Sequence, residues 1–587
     1  MYDLLIKNGT LMDGTGADAR SADIGIINGR IAAIGDLQNE QAGQVLDAAG
    51  KVVVPGFIDM HSHADNIILG YPQMESMLHQ GITTFVGCQC GHSIAPVGGR
   101  WEGSQALFHL MDKASDKLFP DMYNKDYYAD TAKILPLVED EFGFSPTWKT
   151  MGDFLDEVDK KGLSGNMIVL SGYNTLRLLE SEPDYPRPLT CREKDKIKGH
   201  IREAMDAGAF GLSTGLDYAP GAFCGTEELV EMAAELKPYD GIYFSHWRKT
   251  GLRAGTPKKQ KKIEGIKEAM EIGRRNGVQV EISHLSNGFD IFPSRDDYMH
   301  VAAAERTLQI IDEYAASGLR VNFDVIPNIT GGTILMSDLA AYFRPWVLYA
   351  NGLSLFIRNL RHPDYRRQIS DYIYAGKYFT INPNAQPDWD EWMSVIQSRN
   401  SGYMGKSIHE IALEKNISSL NACFDLMMEE PDIKIFMASH SMNIHAVRTY
   451  LRHPLATVGN DTFVFDLTGS LHYDPEFPRA KPNPNTYCGF IKYLTELGMP
   501  RMEDSIQKMS GKAAEILGLT DRGFLKEGYR ADIVVLDLRN LATNENYVEP
   551  RTYPSGVEHV LVNGEFVLKD GTHTGKRPGG TIRRQTR

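Results

Sequence analysis

The 587-residue chain is poor in cysteine, with six in all: Cys88, Cys90, Cys191, Cys224, Cys423 and Cys488. So few in so long a chain argue against a disulfide framework and for a reducing, cytoplasmic setting. No apolar run approaches the length of a membrane span. The opening stretch MYDLLIKNGTLMDG lacks a basic start followed by an apolar core, so no signal peptide is expected. Positive charge is not in excess either. Lys and Arg number 62 against 76 Asp and Glu, a net charge of −14. That balance speaks against nucleic acid or an anionic membrane surface as partner. There is no internal repeat and no low-complexity linker. The glycine pairs of APVGGRWEG lack the strand–helix setting and the lysine of a phosphate-binding loop. What remains is a chain of ordinary composition, 42% hydrophobic, long enough for a large core and two to four domains. A homo-oligomer is compatible with such a chain.

The two ends are alike. Residues 1–54 carry short alternating stretches broken by glycine (YDLLIKNGTLMDG, ADIGIINGRIAAIG, GQVLDAAGKVVVPG), and the far end repeats the style in GYRADIVVLDL and VEHVLVNGEFVLKDG. Such spacing predicts small antiparallel sheets. Neither end is long enough for an obvious core of its own, so the expectation is one small β-sandwich built from 1–54 and 525–587. The final GKRPGGTIRRQTR reads as a polar tail.

Between the ends, apolar strands alternate with helical patterns, the signature of parallel α/β architecture. Eight strands are predicted: Phe57–His61, Thr83–Cys90, Met167–Gly172, Ala209–Gly215, Ile242–His246, Val278–His284, Arg320–Val325 and Ala456–Asp461. Helical stretches such as Glu227–Leu236 and Ile263–Arg274 fall between them. Eight such units predict a TIM-type (β/α)8 barrel over 55–475, with a helical return over 476–524. Two long insertions, about 91–165 and 326–455, leave the C-terminal rim, where barrel active sites sit.

The candidate chemistry lies at the strand ends. In VVVPGFIDMHSHAD, His61 and His63 are two residues apart, so in an extended strand both imidazoles point the same way. Two imidazoles on one face can pinch a divalent metal. For this pair alone, two solvated histidines at an exposed strand end is an equal reading. The other strand ends tip the balance, because Cys90, His246, His284 and Asp461 join them on the same rim. Imidazole nitrogen, thiolate sulfur and carboxylate oxygen are the ligands zinc takes, and the set is large enough for two metals. A metal lowers the pKa of bound water to about 7 and polarises a carbonyl. Asp461 beside such a water could take its proton and later give it to a leaving amine.

The segments PGFIDMHSHAD, GITTFVGCQCGHSIAP, GAFGLSTGLDYAPG, SHWR, EISHL, VGND and DRGFLKEGYRADIVVLD together resemble the N-acyl-D-amino-acid deacylases (D-aminoacylases) of the amidohydrolase superfamily. The resemblance runs end to end, with weaker patches at about 100–160 and 335–450. It implies a zinc enzyme acting on a small-molecule amide, with cysteine where many superfamily members use a carbamylated lysine. No lysine ends a predicted strand, which agrees. Cys90 matches the family cysteine by context, and Cys88 is the weaker candidate ligand. The resemblance further implies that His61, His63 and Asp461 line one metal position and that Cys90, His246 and His284 line another, the tighter one. Tyr218, Arg177 and Arg248 match positions at the substrate pocket, with a structural ion pair or phenol hydrogen bond as the competing reading.

The sequence also departs from the family pattern. Ser286 stands where a lysine is usual after strand six. After strand seven, Ile326 and Asn328 stand in place of two tyrosines, and Gly332 lies near a usual serine. Asn483 and Asn485 replace an HPR segment, and His92 stands where phenylalanine is common. The replaced lysine, tyrosine and serine are, in the family, the groups that hold the substrate carboxylate. Simple N-acetyl-D-amino acids are therefore expected to be poor substrates, unless Arg177, Arg248 or an arginine of the second insertion supplies a cation. The competing readings are an amide, cyclic amide, carbamate or ester without that carboxylate, and a scaffold that has lost catalysis. TPKKQKKIEGIKEAMEIGRRNG reads as an amphipathic barrel helix with a solvated lysine face. His440 and His445 of the second insertion read as surface histidines.

Overall fold

The computed structural model describes residues 1–97, 136, 139, 144–181, 187–218, 220–249, 261–292, 296–378, 386–438, 443–467, 484–545 and 551–585. Most of the first insertion, His440 and Asn483 therefore lie outside the described residues.

Both chain ends meet in one sheet. The N-terminal strands are β1 (Tyr2–Leu11), β2 (Arg20–Ile27), β3 (Arg30–Gly35), β4 (Ala42–Asp47) and β5 (Val52–Pro55). The C-terminal ones are β18 (Ile533–Leu536), β19 (Val557–Val562), β20 (Glu565–Lys569) and β21 (Thr572–His573). Their order is β21-β20-β19-β18-β5-β1-β2-β3, with β4 also on β1. The join is antiparallel, Val53 opposite Val535 and Val54 opposite Val534. Alternation at this join decides what each face covers. Val53, Ile533 and Val535 enter a local core with Leu4, Ile24 and Leu561. Val52, Val54, Val534 and Leu536 face the other way, into the main core. The ends thus pair as expected, but the sheet is mixed rather than antiparallel, since β1 runs parallel to both β4 and β5.

The eight predicted middle strands are all present, most of them shorter than predicted. They are β6 (Phe57–Asp59), β7 (Ile82–Val86), β8 (Asn166–Ile168) with β9 (Ser171–Gly172), β10 (Gly211–Gly215), β11 (Ile242–His246), β12 (Gln279–Ile282), β13 (Val321–Val325) and β17 (Ala456–Val458). They do not form a single closed sheet. They hydrogen-bond as two parallel sheets, β6-β7-β8 and β17-β13-β12-β11-β10-β9. The seam between β6 and β17 is bridged by single bonds, Met60 N–H to Val458 O at 3.2 Å and Asp461 N–H to His61 O at 2.8 Å. The other break falls inside predicted strand three, where the chain's own C-terminus lies alongside β8. Met167 donates to Gly580 O at 2.9 Å and accepts from Ile582 N–H at 2.7 Å, so residues 580–582 occupy the free edge of β8. Arg583 adds ion pairs to Asp156 and Asp159. The stretch read from sequence as a polar tail is an edge-capping segment, which removes an exposed strand edge.

The Pro-Gly of VVVPGFIDMHSHAD marks the crossing from the terminal sheet to β6. A Cβ on Gly56 would meet Thr83 Oγ1 at 2.1 Å, so only glycine fits there. The helices Thr226–Ala233 and Lys262–Asn276 lie where periodicity predicts them. The second insertion has a core of its own around Phe343, Phe356, Phe424 and Ile435. It is built on β14 (Thr330–Leu335), β15 (Met393–Gln397) and β16 (Lys434–Ala438), an antiparallel sheet with β16 central, packed with short helices.

Candidate metal centre

The six rim residues converge. Cys90 Sγ lies 3.3 Å from His61 Nε2, 3.4 Å from His246 Nδ1 and 3.4 Å from His284 Nε2. Asp461 Oδ1 lies 3.4 Å from His61 Nε2 and 3.1 Å from His63 Nε2. Two donor groups result, one of His61, His63, Cys90 and Asp461, the other of Cys90, His246 and His284, with donor atoms in each within 4.8 Å of one another. Cys90 belongs to both.

Local structure explains why these side chains meet. Asp59 at the end of β6 accepts from the backbone N–H of His61 at 3.1 Å and of Asn460 at 3.0 Å. That carboxylate ties the end of β6 to the end of β17 and so brings Asp461 beside His61. Cys90, His284 and Asp461 all have positive φ (58°, 35° and 51°). Left-handed backbone at non-glycine residues costs on the order of 1–3 kcal/mol and persists where the surroundings over-determine it. Here fixed bonds do so, His284 N–H to Asp324 Oδ1 at 2.8 Å and Asp461 N–H to His61 O at 2.8 Å.

The donor set fits a zinc-type ion. Tetrahedral ligation with Zn–S and Zn–N bonds of about 2.3 and 2.05 Å sets sulfur and nitrogen about 3.5 Å apart. The three Cys90 separations of 3.3–3.4 Å match this. The His284 Nε2–His246 Nδ1 distance of 2.8 Å would open by about half an ångström on ligation. Electrostatics favour the same reading. Burial opposes the Cys90 thiolate, yet His61 and His63 hold its pKa below the ordinary thiol value. Burial likewise opposes the Asp461 carboxylate, and His61, His63 and Lys249 hold it low. Against its own burial, His63 is pushed up to about 10 by Asp461 and Cys90. The centre thus pairs two anions with imidazolium, and an entering cation would take over that neutralising role and expel protons. Cys88 behaves oppositely. Burial and the neighbouring Asp65, 3.4 Å from its sulfur, push its thiol well above the usual value, so it stays protonated and outside both groups.

The predicted substrate contacts fare differently. Tyr218 stands at the centre, its ring stacked on His92 at 5.2 Å and edge-on to His246 at 5.0 Å. Its hydroxyl donates to Cys90 O at 2.7 Å, which props the cysteine turn. Gly215 must be glycine beneath it, because a Cβ there would meet the Tyr218 hydroxyl at 2.4 Å. Arg177 and Arg248, for which the sequence left substrate contact and a structural ion pair open, both form ion pairs. Arg177 is fully buried, paired with Glu228 and donating to Arg187 O at 2.8 Å. Arg248 spans Glu268 Oε2 at 2.8 Å and the carbonyls of Ala222 and Cys224. Arg177→Met is expected to destabilise the fold by about 3–5 kcal/mol, the cost of leaving a buried ion unpaired. Urea unfolding checks this, and a rate loss at unchanged stability would return Arg177 to the substrate.

Of the substituted positions, Ser286 and Ile326 are buried. Asn328 donates to Glu545 Oε1 at 2.9 Å, and the other Glu545 oxygen pairs with Lys492. Asn485 Nδ2 lies 3.5 Å from Asn460 O. Gly332 pairs with Met437 in the insertion sheet. His445 is half exposed beside Asp297, as a surface histidine would be.

Two residues at the centre escaped the sequence reading. Asp324, fully buried at the end of β13, receives His61 Nδ1 on Oδ2 at 3.3 Å and the His284 N–H on Oδ1. A carboxylate in the apolar strand VNFDV was the available signal. Such a partner would fix the ring so that Nε2 faces a bound metal, and losing a partner of this kind typically costs 10–100-fold in metal affinity or activity. Asp324→Ala is expected to lie in that range of about 10–100-fold, read by competitive zinc chelation. Lys249, following SHWR, brings Nζ to 2.9 Å from His284 Nδ1. Nothing in its sequence context marks it.

Known proteins similar to this chain are found along its whole length. An amidohydrolase family model matches residues 44–118 and 421–568. The D-aminoacylase of Alcaligenes xylosoxydans xylosoxydans is 28% identical over 99% of this chain and 98% of its own. The N-acyl-D-aspartate deacylase of the same organism is 28% identical over 99% and 95%. A solved D-aminoacylase, described as having a binuclear metal centre with one-metal activation and second-metal attenuation, superimposes with a TM-score of 0.71 at 25% identity over 100% of both chains. An N-acyl-D-glutamate deacylase from Bordetella bronchiseptica, solved with zinc and a phosphonate inhibitor, gives 0.70 at 25% identity over 99% of each. Hydantoinases share the fold at 14–16% identity. Over its whole length the chain is thus similar to D-aminoacylases and N-acyl-D-amino-acid deacylases, and two stretches of it match the amidohydrolase family model.

Proposed function

We propose that the protein is a zinc-dependent amidohydrolase that cleaves a linear amide of the N-acyl amino acid type. The observation that carries this is the pair of donor groups sharing Cys90, with Asp461 at their solvent side. The Asp461 side chain is 23% exposed, whereas His61 is sealed. A substrate arriving at the centre meets Asp461. A bound zinc ion supplies a polarised carbonyl and a water of lowered pKa. His61, His63, Cys90, His246 and His284 would hold it, with one tight site and room for a second. Asp461 then takes the proton of the attacking water and delivers it to the departing nitrogen, so one carboxylate serves as base and acid in turn. Tyr218 and His92 form a flat wall beside this path. The six cysteines are free, and a reducing compartment such as the cytoplasm would keep the Cys90 thiolate available. Among the described residues, no helix is long and apolar enough to cross a membrane.

In this reading β6–β13 and β17 are the strands of a TIM-type barrel spanning 55–475, opened at β8. Residues 1–54 and 525–587 are a sandwich-like terminal domain, and 476–524 the helical return. Asn328, engaged by Glu545, favours a second reading in which the substrate lacks the usual free carboxylate: a neutral amide, cyclic amide, carbamate or ester. A hydrolysis screen of zinc-loaded protein against N-acyl-D- and L-amino acids, their carboxamides and cyclic amides tests both. Turnover of none of these would overturn the assignment.

A further inference from the structure

We infer that Ser213 is a positioning residue that sets where Cys90 presents its sulfur to a bound metal, an inference that rests on the zinc-centre reading above. Cys90 is the donor common to both groups, so the path of its backbone matters to each. That path is unusual. Cys88, Cys90 and Gly91 have φ of 58°, 58° and 78°, so three of four successive residues are left-handed. At non-glycine residues such backbone is disfavoured and persists where the surroundings over-determine it. The turn begins beyond β7, which ends at Val86, so contacts from elsewhere must hold it.

One hydroxyl holds it at both ends. Ser213 Oγ donates to Cys88 O at 2.6 Å and accepts from the Gly91 N–H at 3.0 Å. A tight turn often closes with a bond from the N–H of its fourth residue to the carbonyl of its first. The overlapping turn does so, His92 N–H reaching Gln89 O at 3.0 Å. Between Cys88 and Gly91 the serine hydroxyl takes both ends of that bond and spaces them apart, with Cys90 held between them. The width of the turn, and with it the direction of the Cys90 side chain, is set by a residue of β10. Tyr218 and Thr175 add bonds to Cys90 O and Gly91 O, whereas Ser213 spans Cys90 from both sides.

The sheet is shaped to receive this turn. Gly172 lies beside Ser213 in the ladder of β9 with β10. A Cβ on Gly172 would meet Ser93 N at 2.5 Å and Gly91 O at 2.7 Å, and a Cβ on Gly215 would meet Cys90 O at 2.2 Å. The two glycines let the turn rest on the sheet, and the short serine side chain near them reaches it. Ser213 is fully buried, so water does not compete for its hydroxyl. Thr214, the next residue of β10, faces the other way, its hydroxyl 3.0 Å from that of Tyr243.

The test compares the wild-type protein with Ser213→Ala, Thr214→Val and Cys90→Ala, each titrated with cobalt. Thr214→Val removes a buried hydroxyl from the same strand and measures the general cost of such a loss. Ser213→Ala should bind cobalt about 10- to 100-fold more weakly in competitive chelation, the range for losing a partner behind a metal ligand. Its sulfur-to-cobalt absorption should shift and weaken. Thr214→Val should keep the wild-type affinity and spectrum, and the two variants should unfold in urea at similar midpoints when metal-free. Wild-type affinity and spectrum in Ser213→Ala overturn the inference, and so does an equal loss of affinity in Thr214→Val. A metal-free Ser213→Ala that fails to fold, or unfolds well below Thr214→Val, also overturns it, because Ser213 then serves the framework. In each of these cases a wild-type sulfur-to-cobalt absorption that vanishes in Cys90→Ala leaves the zinc-centre reading standing. A wild-type protein without that absorption, or one whose absorption survives Cys90→Ala, overturns the reading and the inference together.

Discussion

Asp461→Asn is expected to retain most of its metal and to lose about 10³-fold or more in turnover, within the range assigned to positioned proton transfer. The amide keeps an oxygen that can face His61 and His63, now 3.4 and 3.1 Å from the carboxylate. It cannot accept the proton of the attacking water or return it to the leaving nitrogen. Burial works against the ionised form of Asp461, and His61, His63 and Lys249 overcome it. The carboxylate is thus in its basic form before substrate arrives. The loss should appear in kcat, because the missing interaction belongs to the transition state. Metal content by elemental analysis and steady-state rates on the best substrate of the screen check this. A variant holding more than about a tenth of wild-type turnover contradicts the role.

Cys90→Ala is expected to abolish zinc retention through dialysis and activity with it. Cys90 is the one donor common to both groups, and its sulfur stands 3.3–3.4 Å from three imidazoles. Its removal takes a soft anion from each group at once and leaves four imidazoles with a single carboxylate. Cobalt-substituted protein gives a direct reading, since sulfur-to-metal absorption should vanish in Cys90→Ala and persist in Cys88→Ala. Cys88 is a buried thiol bound to Asp65 and serves as the matched control. Unchanged metal content and rate in Cys90→Ala would remove the cysteine from the centre.

The sequence alone determined the donor chemistry and the class of fold. Strand patterning is a local signal, so donor residues at the predicted ends of apolar strands can be picked out from sequence, although Cys90, His284 and Asp461 sit past those strands in left-handed backbone and long-range bonds aim His284 and Asp461. Six strand-end residues could be read that way, and so could the strands and helices that carry them. Tertiary structure decided the roles that need a partner far along the chain. For Arg177 and Arg248 the sequence left substrate contact and ion pair open, and their partners Glu228 and Glu268 appear only in the fold. Asp324 acquired its part only by meeting His61, 263 residues away, and Asn328 by meeting Glu545, 217 residues away. The C-terminal residues looked like a solvated tail because the edge of β8 that they cover is some 400 residues earlier in the chain. Which charge neutralises which, and which strand edge is covered, depends on long-range proximity. A buried charge takes the partner that the folded chain brings to it, and no local pattern records that choice.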